Sequence, residues 1–432
     1  MSASRLSTRL PLTATLAICF VLGAVALAWS LRPRPSPSLA RLDALLAAQQ
    51  FDETERQLAL YLLDHPESTQ ANILMAQVAL ARPDQKPRVA LDHLRRVQAR
   101  DRPTLAIVRL NEGKAYSALD HYDRAEQSWL SALKLDPLVP EACWALLGLY
   151  YVEGRRTDAR RLALAAHAKE PDPRDRVQLL LELVRQDAKP IVAFTIIKAL
   201  EPVVRKHPDD LNASIALAKA SIRDDKPAIA LPILNRLVAR YPENSAAWEA
   251  LLSGLDDATL PDDFALAIDR LPKAIANDLR FAKYRGIQAQ NRRDWPAAVD
   301  AFLQARQFDP TDAQLVYRLS RALRMTSRES EAEPLEAKFK AMQAAADEIL
   351  PLYNEANAVA TLGTAPHPEL YQRIAGLREK MGLRADALSW HRLVLQDHPR
   401  DSISLAAVDR LGDAKLPLLE QVLNNSASRS PP

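Results

Sequence analysis

Apolar residues are spaced in two different ways along this chain. From Leu10 to Leu31 it reads LPLTATLAICFVLGAVALAWSL, 22 residues without a charge. At ~1.5 Å of rise per residue, a helix of that length spans roughly the apolar thickness of a bilayer. Beyond Leu42 the apolar positions instead recur at three- and four-residue steps, interrupted by polar turns and prolines. That pattern predicts short amphipathic helices, each burying one stripe. Tyr116, Tyr122, Trp129 and Leu133 fall on such stripes, as do Val316, Leu319, Leu323 and Ala332 further on. With only 10 glycines and abundant Ala, Leu, Arg and Glu, the composition favours an all-α chain.

The stripes repeat. Residues 106–137 superpose on 140–171 with a shift of 34, which lays Tyr116 on Tyr150, Asp120 on Gly154, Ala125 on Ala159, Ala132 on Ala166 and Pro137 on Pro171. Gly113 and Ala125 stand where two antiparallel helices would cross, because only small side chains let the axes approach closely. Asp136-Pro137 ends the second helix, since a residue before proline is pushed out of the α region. Many of the 30 prolines punctuate in this way. Pro66, Pro103, Pro137, Pro171, Pro208 and Pro242 follow at intervals of 37, 34, 34, 37 and 34. The next proline in register, Pro310, comes 68 residues later, so the count survives a degenerate unit.

Other units keep the spacing. Phe51, Leu58 and Tyr61 occupy the places of Tyr122, Trp129 and Ala132, and Gly286, Trp295, Ala298 and Phe302 those of Gly113, Tyr122, Ala125 and Trp129. The degenerate unit has Phe264 where alanine is due, which predicts splayed helices. Lys86-Pro87, Lys189-Pro190 and Lys226-Pro227, with Trp295-Pro296 as a variant, read as one device that sets proline in the first turn of a second helix. Pro202 and Pro232 fall later and are expected to kink or end their helices. The helix after Ala332 is expected to run on until Pro351 breaks it. A last unit closes at Pro399 with Gly382 in its turn, and Ser402 to Leu423 provide the capping helices a terminal repeat needs.

Between Gly113 and Pro137 the spacing small–x2–Tyr, x5–Tyr–x2–Ala–x3–Trp–x2–Ala-Leu and Asp-Pro resembles one tetratricopeptide (TPR) repeat, whose period is 34 residues. The resemblance covers Leu42 to Pro399, specific in three or four units and degenerate in the rest. It implies a TPR-like solenoid of helical hairpins wound as a right-handed superhelix, preceded here by one transmembrane helix. The organisation expected is a basic head (1–9), a transmembrane helix or signal anchor (10–31), a Pro/Ser linker (32–40), a TPR-like array (41–310), a degenerate repeat with a long helix (311–366), a last unit with caps (367–423) and a disordered tail (424–432).

Charge and candidate chemistry narrow the function. A net charge of +3 and a pI near 8.7 are too mild to imply nucleic acid. Cys19 and Cys143 form no disulfide framework, and no Walker loop, GxGxxG, HExxH, GxSxG or CxxC occurs. His65, His207 and His398 each precede a repeat-ending proline, which marks them as helix C-terminal residues. Carboxylates look scattered over solvated positions. No cofactor, metal or catalytic residue is expected.

In the TPR family the first helices of the hairpins line a concave face that binds proteins or peptides. By resemblance the groove-facing places are Trp144, Gly148 and Tyr151 in one unit, and Arg280, Lys283, Tyr317, Arg321 and Arg324 in the units after Asn277. Residues 279–325 hold nine Lys/Arg against four Asp, which suggests a groove for an acidic segment or a C-terminal carboxylate. The expected function is a non-catalytic, membrane-tethered scaffold at a bacterial cell envelope. The alternative is an exported accessory or chaperone-like factor that matures an envelope or secreted enzyme. The expected location is the inner membrane, single-pass with the repeats exported. Ala26-Leu27-Ala28 has the form of a signal-peptidase site, so a soluble periplasmic product is the other outcome. Basic residues flank the apolar run on both sides (Arg5 and Arg9, Arg32 and Arg34), so they do not fix its orientation.

Overall fold

The computed structural model describes residues 38–362 and 368–427. The head, the apolar run of 10–31, most of the linker and the last five residues lie outside them. Among the described residues every regular element is a helix, and no helix is long and apolar enough to cross a membrane. Two compact units result, one up to Gln98 and one from Ala99 onward.

The first unit contains α1 (Leu39–Ala47), α2 (Phe51–Asp64), α3 (Thr69–Ala81) and α4 (Pro87–Arg95). Helix α1 begins within the stretch read as linker, because the Ser38 hydroxyl caps it by accepting from Arg41 N–H. Leu42, Leu58, Ala71, Leu74, Met75 and Val78 make its core.

The second unit opens with the hairpin α5 (Arg102–Ala118) and α6 (Tyr122–Leu135), then α7 (Pro140–Val152) and α8 (Arg156–His167). Its next elements are α9 (Pro173–Ala188), α10 (Ala193–Lys206), α11 (Leu211–Arg223), α12 (Pro227–Arg240), α13 (Ser245–Asp257) and α14 (Pro261–Asp269). The single turn α15 (Lys273–Ala276) leads into α16 (Ala282–Asn291), α17 (Trp295–Phe308) and α18 (Ala313–Met325). A 34-residue helix, α19 (Glu329–Leu362), precedes α20 (Pro368–Lys380), α21 (Arg384–Asp397), α22 (Ser402–Leu411) and α23 (Leu419–Ala427).

The fold is an all-α, TPR-like array of helical hairpins. A Cβ on Gly113 would stand 2.3 Å from the Trp129 ring, and one on Gly286 would stand 2.5 Å from the Phe302 ring. Those two pairs occupy matched places, and each lets a second helix lie against the first. The turns repeat as well. Asp120, Gly154, Asp225, Thr259, Arg293 and Ser327 all have positive φ, each sitting in the turn of one hairpin. Except for the step from Gly154 to Asp225, they follow at 34-residue intervals, straight through the degenerate unit of Phe264. In that unit the second helix stops at Asp269 and Phe264 is buried in the gap.

Several expectations are corrected. Pro202, Pro232 and Pro351 end nothing: each lies inside a continuous helix. Around Pro351 the buried side chains of Ile349, Leu352 and Tyr353 hold α19 against its neighbours, which outweighs the missing amide. Residues 424–427, read as tail, continue α23. The larger correction concerns Lys189-Pro190. Pro87 and Pro227 do start second helices, but Pro190 lies in an extended connection and α10 begins only at Ala193.

Consequently α9 and α10 do not close on each other. Helix α9 packs on α8 on one side and on α19 on the other, while α10 pairs with α11. The array is therefore interrupted after α9 and returns on itself. One core joins α5–α9 to the second half of α19, α20, α21 and α23, and another joins α11–α18 to the start of α19. Both 37-residue proline intervals mark such discontinuities: Pro66–Pro103 spans the division between the units, and Pro171–Pro208 spans the open α9–α10 step. The three histidines before repeat-ending prolines are C-caps of α2, α10 and α21, each donating its backbone N–H to the carbonyl four residues back.

Candidate interaction surface

The groove-facing residues named from the sequence fall in two places. On α7, Trp144 is half-buried against the core of the second unit. Gly148 is exposed, and a Cβ there would meet nothing within 4 Å. Tyr151 is committed to the fold. Its hydroxyl donates to the Lys189 carbonyl, and the Arg185 guanidinium lies 4.0 Å above its ring. These contacts pin α7 to the open connection after α9. Beside them, Lys189 Nζ sits 4.9 Å from the Tyr353 ring and donates to Asn354 at 2.9 Å.

The second place lies on α16, α18 and the turn before α16. Arg280 faces Asp278 at 3.6 Å and stacks 5.9 Å from Phe308. Lys283 donates to Asp312 at 2.7 Å, and although burial opposes it, this ammonium holds the Asp312 carboxyl below its ordinary range. Arg324 is bonded through both guanidinium nitrogens to Glu336 of α19. Tyr317 is 44% exposed, with its ring 5.2 Å from that of Phe339. Arg321 is exposed and has no ion-pair partner among the described residues. Next to it, Arg318 reaches Asp256 at the end of α13 (2.8 Å).

The charge of the 279–325 window is thereby redistributed. Arg280, Arg292, Arg318 and Arg324 pair with Asp278, Asp269, Asp256 and Glu336, all from outside the window. The folded surface is a lattice of local pairs, and the clearest opening left for an anionic partner is Arg321 beside Tyr317.

Two polar clusters went unseen in the sequence. The first joins α8 and α9 to α20 and α21. Arg378, wholly buried, donates to Asp187 at 2.6 Å and lies 3.5 Å from Asp386, while Arg160 donates to Asp187 (2.6 Å) and Asp386 (3.1 Å). Burial opposes ionisation of Asp187, but Arg378 and Arg160 together hold its carboxyl below the usual value. The second surrounds Arg155. Its guanidinium is bidentate to Glu126 (2.7 and 2.8 Å) and also reaches Glu153 (3.0 Å) and Asp158 (3.0 Å). Arg155 occupies the centre, and among the described residues no three His, Cys, Asp or Glu groups are placed to hold a metal ion. The hydrogen-bonded partners in both clusters lie 27 to 226 residues apart, apart from the neighbours Glu153 and Asp158, and only the Arg378–Asp386 ion pair is otherwise local. No local spacing could have revealed them.

No family model and no curated protein matches the chain. Among solved structures it is similar to the APC/C hetero-tetramer Cut9–Hcn1, at 14% identity over 90% of this chain and 86% of that one, with a TM-score of 0.32. It is also similar to a tetratricopeptide repeat protein from Parabacteroides merdae, at 11% identity over 71% of this chain and 99% of that one, with a TM-score of 0.31. At such scores neither likeness carries an argument about partners, and the reading of this surface rests on its own side chains.

Proposed function

We propose that the chain is a non-catalytic scaffold that holds a protein or peptide partner on the face formed by α16 and α18. Residues 10–31 would tether it to the inner membrane of a bacterial envelope, with the repeats on the exported side. The observation that carries the reading is the pairing of exposed Tyr317 with uncompensated Arg321, one turn apart on a first helix whose other cations are already bonded. An aromatic platform beside a free guanidinium suits an acidic segment or a terminal carboxylate.

The test is affinity capture of the detergent-solubilised full chain followed by mass spectrometry, comparing the native protein with Arg321→Glu. Arg321 is the clean choice, because reversing Arg324 would also repel Glu336. Loss of one stably co-purifying complex in the variant supports the scaffold, whereas an identical partner set in both removes this surface from the proposal. Transient capture of many unfolded clients would favour the accessory-factor alternative. Protease digestion of intact spheroplasts tests the topology independently: a protected repeat region would end the exported reading.

A further inference from the structure

The two cores of the second unit are joined covalently at two places only, the extended Lys189–Val192 connection and the continuous helix α19. Non-covalent contacts also join them, near α19 where Gly382 lies close to Pro310 and Thr311, and far from it where the N-terminal ends of α6 and α11 meet. The apolar part of the α6–α11 contact is thin: Tyr122 and Val152, both half-buried, pack on the small α10–α11 core. The remainder is polar and titratable.

Asp210 sits at the middle of this seam, 5% exposed. Its carboxylate caps two helices at once, accepting from Ala213 N–H of α11 (3.0 Å) and from Asp123 N–H of α6 (3.3 Å). Glu126 of α6, 2% exposed, accepts from Tyr150 of α7 (3.0 Å), from Arg155, and from Asn212 of α11 (3.4 Å). Glu153 and Asp158 share the same Arg155. Three carboxylates, Glu126, Glu153 and Asp158, thus meet one guanidinium in a water-poor joint, with Asp210 beside Glu153 and Glu126 and the Asp123 carboxylate beside Asp210. At the rim, Lys206 bonds Asp120, and the His121 and His207 rings stack with centroids 3.8 Å apart, Arg124 lying near His121 on α6.

We propose that this seam is a proton-operated joint: it stays shut while the carboxyl cluster keeps a proton and parts as the cluster becomes fully anionic, letting the α10–α18 arm swing on the Lys189–Val192 connection and α19. Too many like charges around one cation repel, and separating the faces would hydrate them. Burial pushes the Glu153 carboxyl up to about 8 despite Arg155, and pushes Asp210 up to about 6 despite its amide donors. An acid whose value is raised in the closed form favours that form at low pH, and this advantage is lost as pH rises through the raised value. For one proton released on opening, the open-to-closed ratio rises at most about tenfold per pH unit. An opposing limb exists below neutrality, because burial and His207 hold His121 below its ordinary value and protonation would then favour parting. The joint does not depend on what the α16–α18 face binds.

The experiment is a pulsed EPR distance measurement on the full detergent-solubilised chain carrying Cys19→Ser, with spin labels at Gln127→Cys on α6 and Asn235→Cys on α12, both exposed. Between pH 6 and pH 8.5 a longer-distance population should grow in the otherwise native protein while helix content by circular dichroism stays constant. Glu153→Gln should hold the distribution at its pH 6 form, and Glu153→Asp should keep the response. Asp210→Asn serves as the second neutral variant should Glu153→Gln fold poorly. An identical distribution at both pH values, or equal growth in both neutral variants, overturns the proposal.

Discussion

The connection after α9 and the connection after α11 are nearly the same peptide. One reads Asp187-Ala188-Lys189-Pro190 and the other Asp224-Asp225-Lys226-Pro227, 37 residues apart. In the second, Asp225 takes φ 56°, the chain reverses, and Pro227 starts α12, which lies back along α11. In the first, Ala188 stays in α9, the chain leaves extended, and α19 takes the place beside α9 that α10 would have filled. In the left-handed region the Cβ of either residue crowds the following carbonyl at a cost of ~1–2 kcal/mol, but aspartate's short polar side chain can offset part of that by local hydrogen bonding and alanine's cannot. Tertiary contacts then hold the open form. Asp187 is taken by Arg378 and Arg160, and the Lys189 carbonyl by Tyr151. A repeat is thus closed by its turn and its helix-crossing residue together, and a distant partner can claim the surface a missing turn leaves bare.

The largest effect should come from the network that fixes the open form. Arg378→Met leaves Asp187 and Asp386 buried with only Arg160 between them. Stranding a buried charge in this way costs about 3–5 kcal/mol. Urea unfolding should show the loss, and limited proteolysis should find α20 and α21 newly cleavable in native buffer. Arg378→Met with Asp386→Leu restores charge balance and should recover most of it. A single variant within 1 kcal/mol of native would mean that apolar contact alone seats α19–α21 on α8 and α9. Because Asp187 is held below its ordinary value, this junction should also weaken as pH falls through that depressed range.

How much of this was readable beforehand depends on the range of the interaction. The hairpins were legible because their determinants sit within one 34-residue unit: Gly113 with Trp129, Gly286 with Phe302, and a proline after each second helix. The kinks or ends expected at Pro202 and Pro232 and the break expected at Pro351 did not interrupt their helices, since packing on both flanks outweighs a single lost amide. The return of the chain was hidden because it rests on pairs such as Arg160–Asp386, 226 residues apart, made by charges that read as ordinary solvated positions. Of the residues read as groove-facing, Tyr317 and Arg321 are exposed, whereas Lys283 and Arg324 are spent on carboxylates and Tyr151 on the backbone of Lys189. A charge count along the sequence cannot see partners supplied from other helices.

A middling effect tests the closed side of the comparison. Gly113→Ala places a methyl where the Trp129 ring now lies, and overpacking of this kind typically costs about 1–3 kcal/mol. Gly148→Ala, in the next first helix, adds a Cβ with nothing within 4 Å and should stabilise by about 0.5–1 kcal/mol through helix propensity. The pair is read from urea midpoints at constant slope. Equal effects at the two glycines would mean that the Gly113–Trp129 contact does not set how closely α5 and α6 approach.

The smallest effect bears on the turns themselves. Asp225→Ala forces a left-handed alanine into the α11–α12 connection and should cost about 1 kcal/mol, seen as a lowered urea midpoint. The reciprocal change, Ala188→Asp, turns the α9–α10 connection into the very tetrapeptide that closes α11 on α12. If turn chemistry alone decided the matter, that variant would draw α10 back onto α9 and displace α19. The expectation is otherwise: Asp187 remains gripped by two arginines and Tyr151 still holds Lys189, so the open form should persist with a loss of about 1 kcal/mol, the common size of a point change at a partly buried position such as Ala188. Hydrogen exchange along α19 reports directly, since protection of its second half depends on lying against α9. Unchanged protection places the decision with the distant partners, whereas a collapse of protection in α19 places it in the turn.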